Sequence, residues 1–225
     1  MIEVAADVVS RALAGGATGA ECLFTEGEEF SANVRLGEVE SIKEAGSQGF
    51  GLRVLIGRRS GSAYTSDLSP AGLERLVESA VSLARITSED PHAGLPEPDE
   101  MGSAAGDLGL YHEDVRSLAA DDKIALARRC EQAALQTDPR VSNSEGGSFD
   151  SVWGRRVFAS SRGFQGEYRR SYCSISAVPV AEAGDEKQRD WWFSISRSLA
   201  GLEPAEEVGR RAAERALRRL GAVKV

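Results

Sequence analysis

One pattern occurs twice in this chain: a helix, three strands with a Ser-x-Gly-Phe turn before the last, and a second helix. The first copy holds Ser47-Gln48-Gly49-Phe50-Gly51 and ends in a helix opened by Ser69-Pro70. In the second copy Ser161-Arg162-Gly163-Phe164-Gln165-Gly166 leads through long strands to a helix opened near Glu203-Pro204. Repeat arrays need about three or more stacked units to bury a continuous core, so two copies point instead to duplicated halves of one platform. The expected fold is α+β: two pseudo-repeated halves, each helix, three or more antiparallel strands and helix, forming a sheet platform covered by helices.

Periodicity places the elements. Val4, Val8, Val9, Ala12 and Leu13 share one helical stripe, and Gly15-Gly16 ends that helix. Strands are expected at 20–24 and 30–36, where Phe30, Ala32 and Val34 alternate with polar residues. Leu36-Gly37-Glu38 reads as a hairpin turn. Phe50, Leu52, Val54 and Ile56 alternate strictly, and one apolar sheet face must then be covered by helices. Ser69 is an N-cap with Pro70 at the first helical position, followed by a stripe of Leu73, Leu76, Val77, Ala80, Val81 and Ala84. The third helix, 118–136, is expected to bury Ala120, Ile124, Ala127 and Ala134; strands follow near 149–152, 155–159, 167–180 and 190–198. Residues 91–117, with Pro91, Pro96, Pro98, Gly102 and Gly106, form the one long irregular stretch. The domain reading is a first half at 1–90, a linker at 91–117 and a second half at 118–225.

The 225 residues, 41% of them hydrophobic, suffice for a real core. No run approaches the roughly 18 apolar residues of a membrane span. The N-terminus shows no export signal. Three widely spaced cysteines, Cys22, Cys130 and Cys173, fit reduced thiols in a cytoplasmic protein. A net charge of -8 argues against a general affinity for nucleic acid. The cluster Arg210, Arg211, Arg215, Arg218 and Arg219 is interleaved with Glu206, Glu207 and Glu214, as on a solvated helix face matched to its dipole.

Catalytic patterns are scarce. His112-Glu113 opens like the zinc motif H-E-x-x-H, but Arg116 stands where the second histidine belongs. A zinc site needs about three or four converging ligands. There is no G-x-S-x-G elbow and no phosphate-binding glycine motif, although His92 or His112 could still meet a nucleophile in space. Gly146-Gly147 reads as a turn or cap. What remains is a surface: in Asp190-Trp191-Trp192-Phe193-Ser194-Ile195-Ser196, strand alternation puts Trp191, Phe193 and Ile195 on one face and Trp192 with Asp190, Ser194 and Ser196 on the other. Trp191 and Phe193 are read as core. Trp192 is the candidate peptide or partner contact, the competing reading being that it packs beneath the linker or another domain. An open sheet edge would take up a peptide by strand addition.

The stretches Asp67-Leu68-Ser69, Glu89-Asp90-Pro91, Gly94-Leu95-Pro96, Asn143-Ser144-Glu145-Gly146-Gly147-Ser148-Phe149, Ser160-Ser161-Arg162-Gly163-Phe164, Arg189-Asp190-Trp191 and Val208-Gly209 occur in an order that resembles the N-terminal part of the TldD/PmbA family, in its PmbA or TldE branch. The resemblance runs from about Ala5 to the C-terminus. It implies a subunit of a cytoplasmic zinc metallopeptidase that works as a TldD–PmbA heterodimer on unfolded or peptide substrates, among them microcin precursors and an antitoxin. An older family name is modulator of DNA gyrase. The family's zinc motif, H-E-x-x-x-H with a later cysteine, belongs to the C-terminal half of the TldD-type subunit and has no counterpart here. The family's C-terminal domain is absent from this chain, which is either truncated or a naturally short relative.

The expected role is therefore a non-catalytic N-terminal domain that shapes the substrate cleft and subunit interface, with no cofactor of its own and zinc in a TldD-like partner. Self-association is a further option; nucleic acid and membrane are not expected partners. The competing reading is a protein-binding module, gyrase-modulator-like, without a proteolytic role.

Overall fold

A computed structural model describes residues 1–97, 99–102 and 106–222; Pro98 of the irregular stretch lies outside the described residues. Helix α1 spans Ile2–Ala14, followed by strands β1 (Gly19–Arg35), β2 (Glu38–Ile56) and β3 (Arg59–Thr65) and helix α2 (Pro70–Ile86). A short α3 (Glu113–Ser117) precedes α4 (Ala120–Leu135). Then come β4 (Val141–Ser160), β5 (Gln165–Ala183), β6 (Glu186–Arg189), β7 (Trp192–Ser196) and α5 (Ala205–Arg218). The order is α+β, with helix, three or four strands and helix in each half. Strands are arranged β3-β2-β1-β4-β5-β6, and β7 pairs with β5.

Two compact units share these elements. The first holds residues 1–27, 46–108 and 154–169; the second holds 28–45, 109–153 and 170–225. Division by sequence order at 91–117 gives different pieces, because β1, β2, β4 and β5 are each long enough to run from one unit into the other. The strand segments expected at 20–24 and 30–36 are one strand, and so are those at 149–152 and 155–159. Residues 38–48, read as no strand at all, begin β2 and are exposed on both faces. The first Ser-x-Gly-Phe motif, expected at a turn, lies inside β2; the second does turn, with Gly163 at φ +93° between β4 and β5.

In the first unit α1 buries Ala5, Val8, Val9 and Ala12, a spacing that keeps one stripe toward the sheet. Helix α2 starts as its sequence dictates: Pro70 needs no partner for a missing N–H, and Ser69 Oγ accepts the Gly72 N–H at 3.1 Å. Both stripes meet Phe24 and Phe50, whose ring centroids are 4.9 Å apart, and Leu52 and Val54 of β2. The irregular segment is tied down here, with Arg58 donating to the Pro91 carbonyl and Arg53 to that of Gly94 at 3.3 Å.

The second unit packs α4 and α5 over β4, β5 and β7 around Phe149, Ile175 and Val208. The helices lie very close. A Cβ built on Gly209 of α5 would stand 2.0 Å from the Cys130 carbonyl oxygen of α4, and one on Gly147 of β4 would stand 2.4 Å from the Ala127 carbonyl oxygen. Gly146-Gly147 is therefore strand, not turn, and Gly147 is there for its size. Ala120 is exposed, whereas Glu131, on the same helix, is 1% exposed. Its carboxylate accepts the N–H groups of Leu36 at 2.8 Å and Gly37 at 2.9 Å, and Arg128 donates to the Gly37 carbonyl at 3.0 Å. Leu36 and Gly37 both have positive φ, +50° and +82°, as a tight β1–β2 hairpin turn requires, and the helix side chain holds Leu36 in a conformation that a non-glycine residue rarely adopts.

Glu131→Ala should lower stability by about 2–3 kcal/mol by leaving two amides without their acceptor. Gly209→Ala should cost a similar ~1–3 kcal/mol by forcing α4 and α5 apart. Chemical denaturation of the two variants checks both; a Gly209→Ala midpoint equal to that of the parent would refute the close crossing.

Candidate functional site

The second unit carries the least ordinary surface, and it begins at Asp190. This residue links β6 to β7, with its carboxylate only 11% exposed, facing Arg215 at 3.3 Å and Arg219 at 3.6 Å on α5. It also accepts the Trp191 N–H at 2.8 Å. Burial pushes its carboxyl upward in pKa, but the Trp191 N–H and the two guanidinium groups outweigh that and hold it below the usual range. With Asp190 anchored against α5, the parity of the following strand is set.

That parity is opposite to the sequence expectation. Trp192 turns inward, half-buried against the core, with Arg211 and Arg215 over its ring at 5.7 and 5.5 Å from the centroid. Ser194 is buried with it, and its Oγ accepts the Glu203 N–H at 3.0 Å. Trp191, Phe193 and Ile195, read as core, are 53%, 42% and 58% exposed. Trp191 and Phe193 stack, with centroids 5.1 Å apart. The reason is electrostatic: inward placement of Asp190 satisfies α5's arginines, which an apolar residue there would leave unpaired. The signal was the arginine spacing on α5. Its four arginines and the C-cap Arg219 each have a carboxylate partner: Arg210 and Arg211 meet Glu207, Arg218 meets Glu214, and Arg215 and Arg219 meet Asp190.

No three His, Cys, Asp or Glu residues converge as metal ligands among the described residues. His112 stands at the N-cap position of α3 without a side-chain capping bond, and this helix of five residues is too short to present the two-turn face a zinc helix uses. His92 sits in a loop where its N–H meets Asp90 Oδ1 at 2.9 Å. The three thiols are buried, and burial pushes Cys22 and Cys130 up to about 12 and Cys173 to about 11, the reverse of what a metal ligand or nucleophile needs. A cavity of about 20 Å³, room for about one water, lies among Glu28, Glu44, Arg116, Lys123 and Trp153. Trp153 Nε1 donates to Glu28 at 2.8 Å and Arg116 stacks on the indole at 4.1 Å, so these lining groups are engaged with one another.

Comparison with known proteins decides the family. The profile of the PmbA/TldA metallopeptidase central domain matches residues 113–220, and that of the PmbA/TldA metallopeptidase domain 1 matches residues 20–84. The metalloprotease PmbA of Escherichia coli O157:H7 is 36% identical over 225 residues, all of this chain and 50% of that protein. The chain belongs to the PmbA/TldD family. A crystal structure from Bacteroides thetaiotaomicron, of a protein described as a modulator of DNA gyrase, superposes with a TM-score of 0.88 at 27% identity, covering 99% of this chain and 51% of that one. TldE from Thermococcus kodakarensis shares the fold, with a TM-score of 0.82 at 18% identity over 94% of this chain and 47% of its own. The chain spans about half the length of the curated PmbA proteins it matches. No described helix is long and apolar enough to cross a membrane.

Trp192→Ala should cost about 3 kcal/mol, as a truncation at the edge of a core does. Asp190→Asn should change the acid limb of stability. A carboxyl whose folded pKa lies below the unfolded value of about 3.9 stabilises fully above that pH and loses the contribution as pH falls through the folded value. Denaturation series from pH 2 to 7 should show the variant weaker at neutral pH and flatter toward acid; an unchanged acid limb would refute the Asp190 anchor.

Proposed function

We propose that this chain is a non-catalytic N-terminal domain of a PmbA/TldD-type zinc metallopeptidase complex, shaping the substrate cleft and the subunit interface for unfolded or peptide substrates in the cytoplasm. The observation that carries the reading is the row of Trp191, just before β7, and Phe193 and Ile195 of β7, all laid open, in a chain whose family is a metallopeptidase family. β7 pairs with β5 on one side, and no described strand pairs with its other side. Such an edge offers backbone groups to any extended polypeptide, with little demand on its sequence. Trp192 contributes from beneath, as packing that holds β7 in register.

The residues present do not fit a zinc ion. Among the described residues no three His, Cys, Asp or Glu side chains are grouped as a metal site needs, and the thiols are protonated by burial. In this reading the metal and its activated water belong to a TldD-like partner subunit. A second reading, in which the same face engages a folded protein without proteolysis, is favoured by the description of the Bacteroides relative as a gyrase modulator.

Incubation of the pure chain with an unfolded protein should give no cleavage, and cleavage should appear on addition of a TldD-type subunit and vanish with chelator. Chelator-resistant cleavage by the chain alone, abolished by His92→Ala or His112→Ala, would overturn the non-catalytic role. Capture of a folded partner with no metal subunit present would favour the second reading.

A further inference from the structure

Single exposed apolar side chains are ordinary on a protein surface. Three on alternate positions of one edge strand, two of them stacked, form a continuous ridge. Across the β5–β7 pairing Ile195 faces Ser174 and Phe193 faces Ser176, so small hydroxyl side chains flank the ridge and leave its side open. Arg197 follows directly on the last residue of β7, and on β5 the same alternation runs from Ser174 through Tyr172 to Arg170. Ser171 Oγ donates to the Arg197 carbonyl at 2.8 Å and so holds Arg197 beside this end of β5. Arg170 and Arg197 are both exposed, and neither has a carboxylate within ion-pair distance among the described residues. On α5, by contrast, every arginine is paired. An apolar ridge that ends in two unpaired guanidinium groups has a polarity of its own.

We infer that the outer face of β7 is a docking surface for an extended polypeptide segment that carries apolar side chains at alternate positions and an aspartate or glutamate at the end meeting Arg197 and Arg170. This rests on the reading that the chain engages unfolded peptide, and it adds a preference to that reading. Side chains two apart on the segment recur about every 6.8 Å, the spacing of Trp191, Phe193 and Ile195, so ridge and segment stay in step. The unpaired edge supplies hydrogen bonds for the segment's backbone. The arginines supply the selection, because a guanidinium takes a carboxylate through two parallel N–H donors and repels a lysine.

The test uses the full chain and fluorescently labelled ten-residue peptides of alternating apolar and serine residues ending in Glu or in Lys, each in both chain directions. Anisotropy titration should show the better-placed Glu peptide binding about tenfold or more tightly than its Lys counterpart. Arg197→Glu should remove or invert that preference. Phe193→Ser should weaken binding of both peptides while leaving the melting temperature within a few degrees of the parent, since Phe193 is outside the core. Equal affinity for Glu and Lys peptides, with binding still lost in Phe193→Ser, would sink the preference and leave the general peptide reading standing. Binding indifferent to Phe193→Ser, or no binding of any peptide, would overturn the surface itself; in the latter case the function reading is tested separately by its cleavage assay. Sedimentation showing a dimer that Phe193→Ser dissolves would assign the face to a second copy and overturn the proposal.

Discussion

Helix α4 approaches β4 and α5 so closely that no side chain fits at either contact, and the second unit takes its shape from this. Gly147 and Gly209 are the two points of approach. With α4 pressed onto β4, Glu131 reaches the hairpin between β1 and β2 and holds its left-handed turn. With α5 pressed onto α4, the arginines on its far flank stand over the start of β7, where Asp190 meets them. Asp190 turned inward puts Trp192 and Ser194 inward as well, and the period of two then leaves Trp191, Phe193 and Ile195 outward. The exposed ridge is a distant consequence of two glycines and one carboxylate.

Several of the stretches that resemble the family lie along this chain of causes. Gly147 and Gly209 are spacers, Asp190 is the electrostatic anchor, and Asp67 with Ser69 starts α2, where Asp67 Oδ1 accepts the Ser69 N–H at 3.0 Å. They specify the platform.

The helices were legible because stripes such as Leu73, Leu76, Val77 and Ala80 have one periodic interpretation. The strands were legible wherever apolar and polar residues alternate, as from Phe50 to Ile56. Residues 38–48 were missed because both faces of that strand segment are exposed, and a strand with no buried face has no period to read. Glu131 was missed because a carboxylate on a helix normally marks its wet side; only a backbone turn brought near from elsewhere in the sequence makes its burial favourable. The face of β7 was misread for a related reason. Trp191-Trp192-Phe193 places aromatics on both faces, so hydrophobicity could not choose between them. The choice lay with arginines about 25 residues later, visible in the sequence but not as a partner for Asp190.

The central claim is that the outer face of β7 recognises extended polypeptide. Hydrogen–deuterium exchange of the full chain, with and without an excess of unfolded polypeptide, tests it most directly. The account predicts slowed exchange concentrated at 192–197, where an added strand would close the open edge of β7. Slowed exchange elsewhere, with this segment unchanged, would contradict it.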